Sequence, residues 1–292
     1  MNNGVANQAT RCFRRIFEGF THRVLEANPG LHITLQHVQP RNLGEQPSRD
    51  ADLILSSGGP GAPSDGYEAP WCTGYRKFVD HVVESTIKDA ARSPALFVVC
   101  HSFEIAVQHF GVARMSRRET LKFGVFPAYM TPEGLDSALF KPFGDRLFTW
   151  EHRRWEALDL DARKLRDLGG RLLATESRIG GADKGQGLMS FEFAPGVVGT
   201  QFHPEADRTG VLAWITQPEH SDAVKEAYGS SLYDRMIKTL SNPTRLAKTY
   251  ALMAPGWLAH RFNELAPHRG WNPVAPPQED MRDFEAAERI AV

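Results

Sequence analysis

Apolar positions along the chain alternate between helical and strand spacing, the pattern of an α/β sheet covered by helices on both faces. Phe13, Ile16, Phe17, Phe20 and Val24 fall on one face of a first helix, which Asn28-Pro29-Gly30 ends. Ile33, Leu35 and Val38 predict a strand, followed by a polar loop bounded by Pro40 and Pro47. Leu53-Ile54-Leu55 reads as a short buried strand opening into Ser56-Ser57-Gly58-Gly59-Pro60-Gly61. Phe78, Val79, Val82, Val83 and Ile87 mark an amphipathic helix. The unbroken run Ala95-Leu96-Phe97-Val98-Val99 is a buried strand, and helical spacing resumes from Ser102 to Phe110.

Beyond that helix, short strands are expected around residues 121–126, 146–150 and 171–174. Residues 189–193 and 197–202 form a hairpin turning at Pro195-Gly196. From Asp222 to Leu265 the pattern is helical, with breaks expected at Pro243 and Pro255-Gly256. The Pro-rich polar tail from Asn272 reads as an arm or a loosely packed segment. Two units follow, residues 1–221 and a helical extension with its tail over 222–292. A sheet of this kind opens on an apolar strand, yet the chain opens on Met1-Asn2-Asn3-Gly4. Either another segment builds the first strand, or the chain begins inside the natural domain.

Composition narrows the function classes. Of 292 residues, 41% are hydrophobic and 24% charged, a balance that argues against both disorder and a membrane-embedded chain. A formal net charge of −1 supplies no electrostatic reason for a nucleic acid or an anionic membrane as partner. Cys12, Cys72 and Cys100 form no CxxC pair and no disulfide framework, which fits a reducing cytoplasm. No signal-peptide pattern and no spanning apolar stretch is present.

The chemistry concentrates at three places, each directly after a strand. Cys100 sits between a buried strand and a helix start, where the dipole and unpaired N–H groups favour a thiolate. In Gln201-Phe202-His203-Pro204-Glu205, His203 is placed to take the thiol proton and Glu205 to orient the imidazolium. The glycines of Gly58-Gly59-Pro60-Gly61 let backbone N–H groups approach a developing oxyanion, and the N–H after the nucleophile would complete the hole. The histidines show no HExxH or paired metal-ligand spacing, so no metal and no cofactor is expected.

A glycine-rich oxyanion strand, a cysteine elbow and a His-x-Glu pair in this order resemble the class I glutamine amidotransferases. The likeness runs from about Arg11 to Asp207, and Gly-Thr-Gln-Phe-His-Pro-Glu is its most specific segment. Among these, the chain is similar to stand-alone proteins that share the Asn-Asn-Gly opening and the Cys-His-Ser-Phe elbow. The resemblance implies a flavodoxin-like, mostly parallel sheet and a first strand lost before Met1. It also implies attack of Cys100 on the side-chain amide of glutamine, a γ-glutamyl thioester, release of ammonia and hydrolysis to glutamate. Gly59 and the His101 N–H would form the oxyanion hole.

Departures from the family pattern keep the substrate open. The elbow reads Val98-Val99-Cys100-His101-Ser102-Phe103-Glu104 where the family has Gly-x-Cys-x-Gly-x-Gln. Glu104 replaces a glutamine that holds the substrate head group, and could accept from an α-ammonium group. His101 reads as an exposed side chain on the turn or as a second titrating group beside the thiol. Arg153 or Arg154, in Trp150-Glu151-His152-Arg153-Arg154-Trp155, belongs either to a charged edge or to a carboxylate clamp. Trp71, Cys72 and Tyr75 either cover the cleft or pack on the sheet. Three readings stand: glutamine amidotransferase with a separate acceptor subunit, free-standing γ-glutamyl hydrolase, and silent binding or regulatory relative. A homodimer through the helical extension is open.

Overall fold

In the computed structural model, residues 8–177 and 187–278 are described. The first half runs α1 (Gln8–Ala27), α2 (Pro40–Leu43), β1 (Leu53–Ser56), α3 (Pro70–Asp89), β2 (Ala95–Val99), α4 (His101–Phe110), β3 (Arg114–Met130) and α5 (Pro132–Leu135). The second runs β4 (Arg146–Leu158), α6 (Ala162–Asp167), β5 (Arg171–Thr175), β6 (Leu188–Ala194), β7 (Val197–Thr200), α7 (Arg208–Ile215), α8 (Pro218–Tyr228), α9 (Ser230–Leu240) and α10 (Lys248–Arg269).

Helices flank a sheet of order β1-β2-β7-β6-β4-β3-β5. The expected mostly parallel, flavodoxin-like sheet is corrected: only β1–β2 and β2–β7 pair in parallel. The remaining pairings are antiparallel, and β6, β4, β3 and β5 close into a four-stranded barrel through β5–β6 and the Ala157–Leu188 bridge of β4 to β6. Short connections dictate this, because parallel neighbours need a crossover of a dozen or more residues. Pro195-Gly196 instead turns β6 directly back as β7. Strands β3 and β4, 17 and 13 residues long, far exceed the short segments their apolar patches predict. Much of their length alternates charged and apolar side chains, so a search for apolar runs misses it.

Two cores hold the parallel layer. On one face α1 and α10 bury Phe13, Ile16, Phe20, Trp257, Leu258 and Phe262 against Phe97 and Val99. On the other, α3 and α4 pack Tyr75, Phe78, Val82 and Phe103 against Leu96 and Val98. A third cluster joins α7, α8 and α9 to Phe123 and Val125 of β3.

Three further expectations are corrected. Among the described residues no strand forms at 33–38, and Leu35 is 53% exposed, so its alternation has no buried partner. Pro255 does not break the chain but lies buried inside α10, where packing of its neighbours offsets the missing hydrogen bond. The start of the tail is anchored rather than loose: Asn28 and Asn272 exchange hydrogen bonds, Asn263 brackets Val274, and Val274 is 4% exposed. Met1-Asn2-Asn3-Gly4 and residues 279–292 lie outside the described residues. No helix among the described residues is long and apolar enough to cross a membrane.

Candidate active site

Cys100 ends β2 with φ +52° and ψ −109°, a left-handed conformation that a side chain adopts only under surrounding constraint. The constraints are visible. Cys100 N donates to Thr200 O at 2.8 Å and Glu104 N donates to Cys100 O at 2.9 Å. Ser102 Oγ accepts from Val99 N at 2.8 Å and lies 2.9 Å from Ser56 O, which ties the elbow to the end of β1. Removing these hydrogen bonds with Ser102→Ala is expected to cost about 1–2 kcal/mol, read from denaturant midpoints.

Gly58 sits where the glycine turn meets the thiol. A Cβ built there would lie 2.9 Å from Cys100 Cβ and 3.0 Å from His203 Cε1, so only glycine leaves room. The half-buried Gly59 follows on the same turn. Gly61, at φ +108°, serves the turn itself, with a Cβ there meeting Asp65 Oδ2 at 2.8 Å.

His203 is fixed from two sides. Its backbone N donates to Trp150 O at 3.0 Å, and Nδ1 lies 2.8 Å from Glu205 Oε1 with Glu205 buried. Nδ1–H directed at Glu205 leaves Nε2 for the thiol. Burial pulls the imidazole pKa down, but the Glu205 and Cys100 charges, and hydrogen bonds to both side chains, outweigh it. The result is a ring held well above its ordinary value. A raised folded pKa gives stability that is complete below the unfolded value of about 6.5 and is lost as pH rises through the folded value. The thermal midpoint of the wild type is therefore expected to exceed that of His203→Gln most at pH 6, with the gap narrowing toward pH 9.

The other residues marked in the sequence land differently. His101 is fully buried rather than exposed, because the first turn of α4 directs it inward, with Nδ1 3.4 Å from Glu104 Oε2. Glu104 is also buried, and its Oε1 accepts from Gln201 Nε2 at 2.9 Å. Glu104 thus links α4, the helix after Cys100, to the segment carrying His203. Arg153 points into the barrel and is not offered as a clamp. Its guanidinium donates to Glu151 at 2.7 Å, to Trp155 O at 3.0 Å and to Glu176 at 3.3 Å. Burial alone would raise the Glu176 pKa, yet Arg153, Lys122 and Arg118 hold it down at about 2. Arg154 lies on the opposite, exposed face of β4. Cys72 and Tyr75 are buried against the sheet, with Tyr75 Oη 2.8 Å from Ser56 Oγ, while Trp71 is half-buried at the start of α3.

Beside His203 stands an aromatic wall that sequence reasoning missed. Trp150, opposite His203, shares a face of β4 with His152, and Phe123 is the cross-strand partner of His152. Trp214 from α7 covers this group and His220 stacks on it. Burial among its neighbours, followed by the charges of His203, Arg154 and His220, lowers His152 to about 4, although the residue as a whole is exposed. No spacing signal could have found Trp214 and His220, since they come from helices beyond the Gln-Phe-His-Pro-Glu motif. Among the described residues, no group of three or more His, Cys, Asp or Glu side chains is arranged to hold a metal ion.

Two solved structures share the fold. A glutamine amidotransferase of Thermotoga maritima superposes with a TM-score of 0.51 at 16% identity, covering 74% of this chain and 80% of its own. SMU.1228c superposes with a TM-score of 0.52 at 16% identity, covering 80% of this chain and 91% of its own. No protein-family model and no curated protein matches the chain.

Proposed function

We propose that the protein is a cysteine-dependent amidase that cleaves the γ-amide of glutamine or of a γ-glutamyl compound. The observation that carries this reading is the strained Cys100 elbow, closed by Gly58 against a His203 that Glu205 orients. In the proposed sequence His203 already holds the thiol proton as an imidazolium, and the Cys100 thiolate sulfur bonds to the amide carbon. The N–H groups of Gly59 and His101 hold the oxyanion; His101 opens α4, and the first N–H groups of a helix lack an intrahelical acceptor. His203 then passes the proton to the leaving nitrogen as the C–N bond breaks. Water, deprotonated by His203, cleaves the thioester, glutamate leaves and the thiol is restored.

Incubation with the diazo-ketone analogue of glutamine tests the reading. Intact mass is expected to show one adduct on wild type and none on Cys100→Ser, whereas an unmodified Cys100 after long exposure would overturn it. A free-standing hydrolase is the second reading. It is favoured by Trp214 and His220, through which the chain's own helices wall the ground beside His203. Amine release from γ-glutamyl amides compared with ammonia release from glutamine separates it from a donor of ammonia to an acceptor subunit.

A further inference from the structure

The turn that carries His203 and Glu205 ends at a carboxylate held from outside the sheet. Asp207 follows Glu205 by two residues and caps α7, its Oδ1 accepting from Gly210 N at 3.0 Å. The same oxygen accepts from Arg11 Nη2 of α1 at 2.6 Å, and Arg15 Nη1 lies 3.9 Å from Oδ2. Arg11 is itself braced by donating from Nε to Gln8 Oε1 at 2.8 Å. Beside the pair, Cys12 is buried, and burial followed by the Asp207 charge pushes its thiol up to about 12. Tyr250 of α10 faces the same group, its hydroxyl raised above its ordinary value chiefly by burial. Both neighbours therefore stay neutral, and the charge on Asp207 is met by α1.

Gly210 shows how closely the pair is fitted. A Cβ built there would lie 2.5 Å from Asp207 Oδ1 and 2.8 Å from Arg11 Nη2. Alanine is the better helix former at such a position, so glycine sacrifices helix stability and leaves the oxygen free for both donors.

What this anchor can move is Glu205. Its Oε1 meets His203 Nδ1, while among the described residues its buried Oε2 has no donor. With no second hydrogen bond on the carboxylate, the backbone sets its direction. That backbone is a short turn, in which Ala206 N donates to His203 O at 3.3 Å. Trp150 O pins the turn upstream, at His203 N. The Arg11–Asp207 pair pins it downstream.

We propose that Arg11 and Asp207 are positioning residues of the site: their ion pair aims Glu205 at His203 and so keeps the imidazolium against Cys100. The inference rests on the amidase reading above and adds α1 to the machinery that reading needs. Its first test requires no substrate.

Alkylation of Cys100 by iodoacetamide, followed by mass with Cys100→Ser as the blank for Cys12 and Cys72, reads how well the imidazolium holds the thiolate. Wild type is expected to react at pH 6 within about threefold of its rate at pH 9. In Arg11→Gln, and in Asp207→Asn, which keeps a cap for Gly210 N, the pH 6 rate is expected to fall at least about tenfold while the pH 9 rate stays. A charge effect through space would move these two variants in opposite directions, whereas a loosened turn moves both the same way. Their kcat for glutamine is expected to fall about tenfold, with KM within about twofold of wild type. The double variant is expected to match either single one, and Arg11→Lys to restore both readouts. Gly210→Ala is expected to fold as wild type does and still lose rate at pH 6. Wild-type profiles in Arg11→Gln and Asp207→Asn, opposite shifts, or losses that add in the double variant would overturn the proposal. A profile moved by Arg11→Gln in a protein that turns over no γ-glutamyl amide would sink the amidase reading and leave the anchor standing. Equal turnover by wild type and Arg11→Gln would sink the anchor alone.

Discussion

Replacing Cys100 by serine is expected to lower turnover of glutamine and γ-glutamyl amides about 10⁴-fold or more while leaving the thermal midpoint almost unmoved. The two halves of this expectation come from different parts of the site. Serine matches cysteine in shape, so the backbone at φ +52° keeps its hydrogen bonds to Thr200 and Glu104, and Gly58 keeps its clearance. An alkoxide is far harder to generate than a thiolate, however, and a base suited to a thiol does not compensate. Parallel measurement of turnover and of the melting curve separates chemistry from folding. Undiminished turnover would remove the thioester mechanism whatever the substrate, and a large fall in the midpoint would make Cys100 a packing residue.

The legible parts of the molecule are those in which local pattern and tertiary outcome coincide. The run at 95–99 is apolar at every position because β2 is buried on both faces, and a buried parallel strand can be nothing else. The placement of Cys100, Gly58 and His203 could be read because each follows a strand of the parallel layer, where α/β sheets gather their ligands, although β1 before Gly58 is half-buried rather than buried. The barrel was not legible. Its strand β4 directs Glu151 and Arg153 inward, where Arg153 donates to both Glu151 and Glu176, and buried charge in a sequence looks like surface. His101 failed for the same reason: a polar side chain beside a nucleophile reads as exposed until the neighbour that receives it, Glu104, is placed. The wall of Trp150 and Trp214 joins elements far apart in the chain, and only the packing of α7 on β3 brings them together.

Glu104→Ala is expected to destabilise the protein by about 3 kcal/mol, because it strips a buried network of the group that both partners face. Gln201 Nε2 would lose its 2.9 Å acceptor, and His101 its neighbour at 3.4 Å, both deep in the interior. Glu104→Gln retains an oxygen for Gln201 and the same volume, so its cost is expected to stay below about 1 kcal/mol. Denaturant midpoints of the two variants check the difference. Kinetics then distinguish a network from a substrate contact. Gln201 lies two residues before His203, so loosening it moves the base relative to Cys100 and lowers kcat, and misplacement of about 1 Å is enough for a 10²-fold loss. A carboxylate facing the substrate's α-ammonium group would instead express itself in KM, and Glu104→Gln would raise KM about tenfold by removing a charge-assisted contact. With Glu104 buried between His101 and Gln201, the KM of Glu104→Gln is expected to match wild type and the kcat of Glu104→Ala to fall. An unchanged stability in Glu104→Ala joined to a raised KM in Glu104→Gln would return Glu104 to the substrate pocket, and the link between nucleophile helix and base would be lost with it.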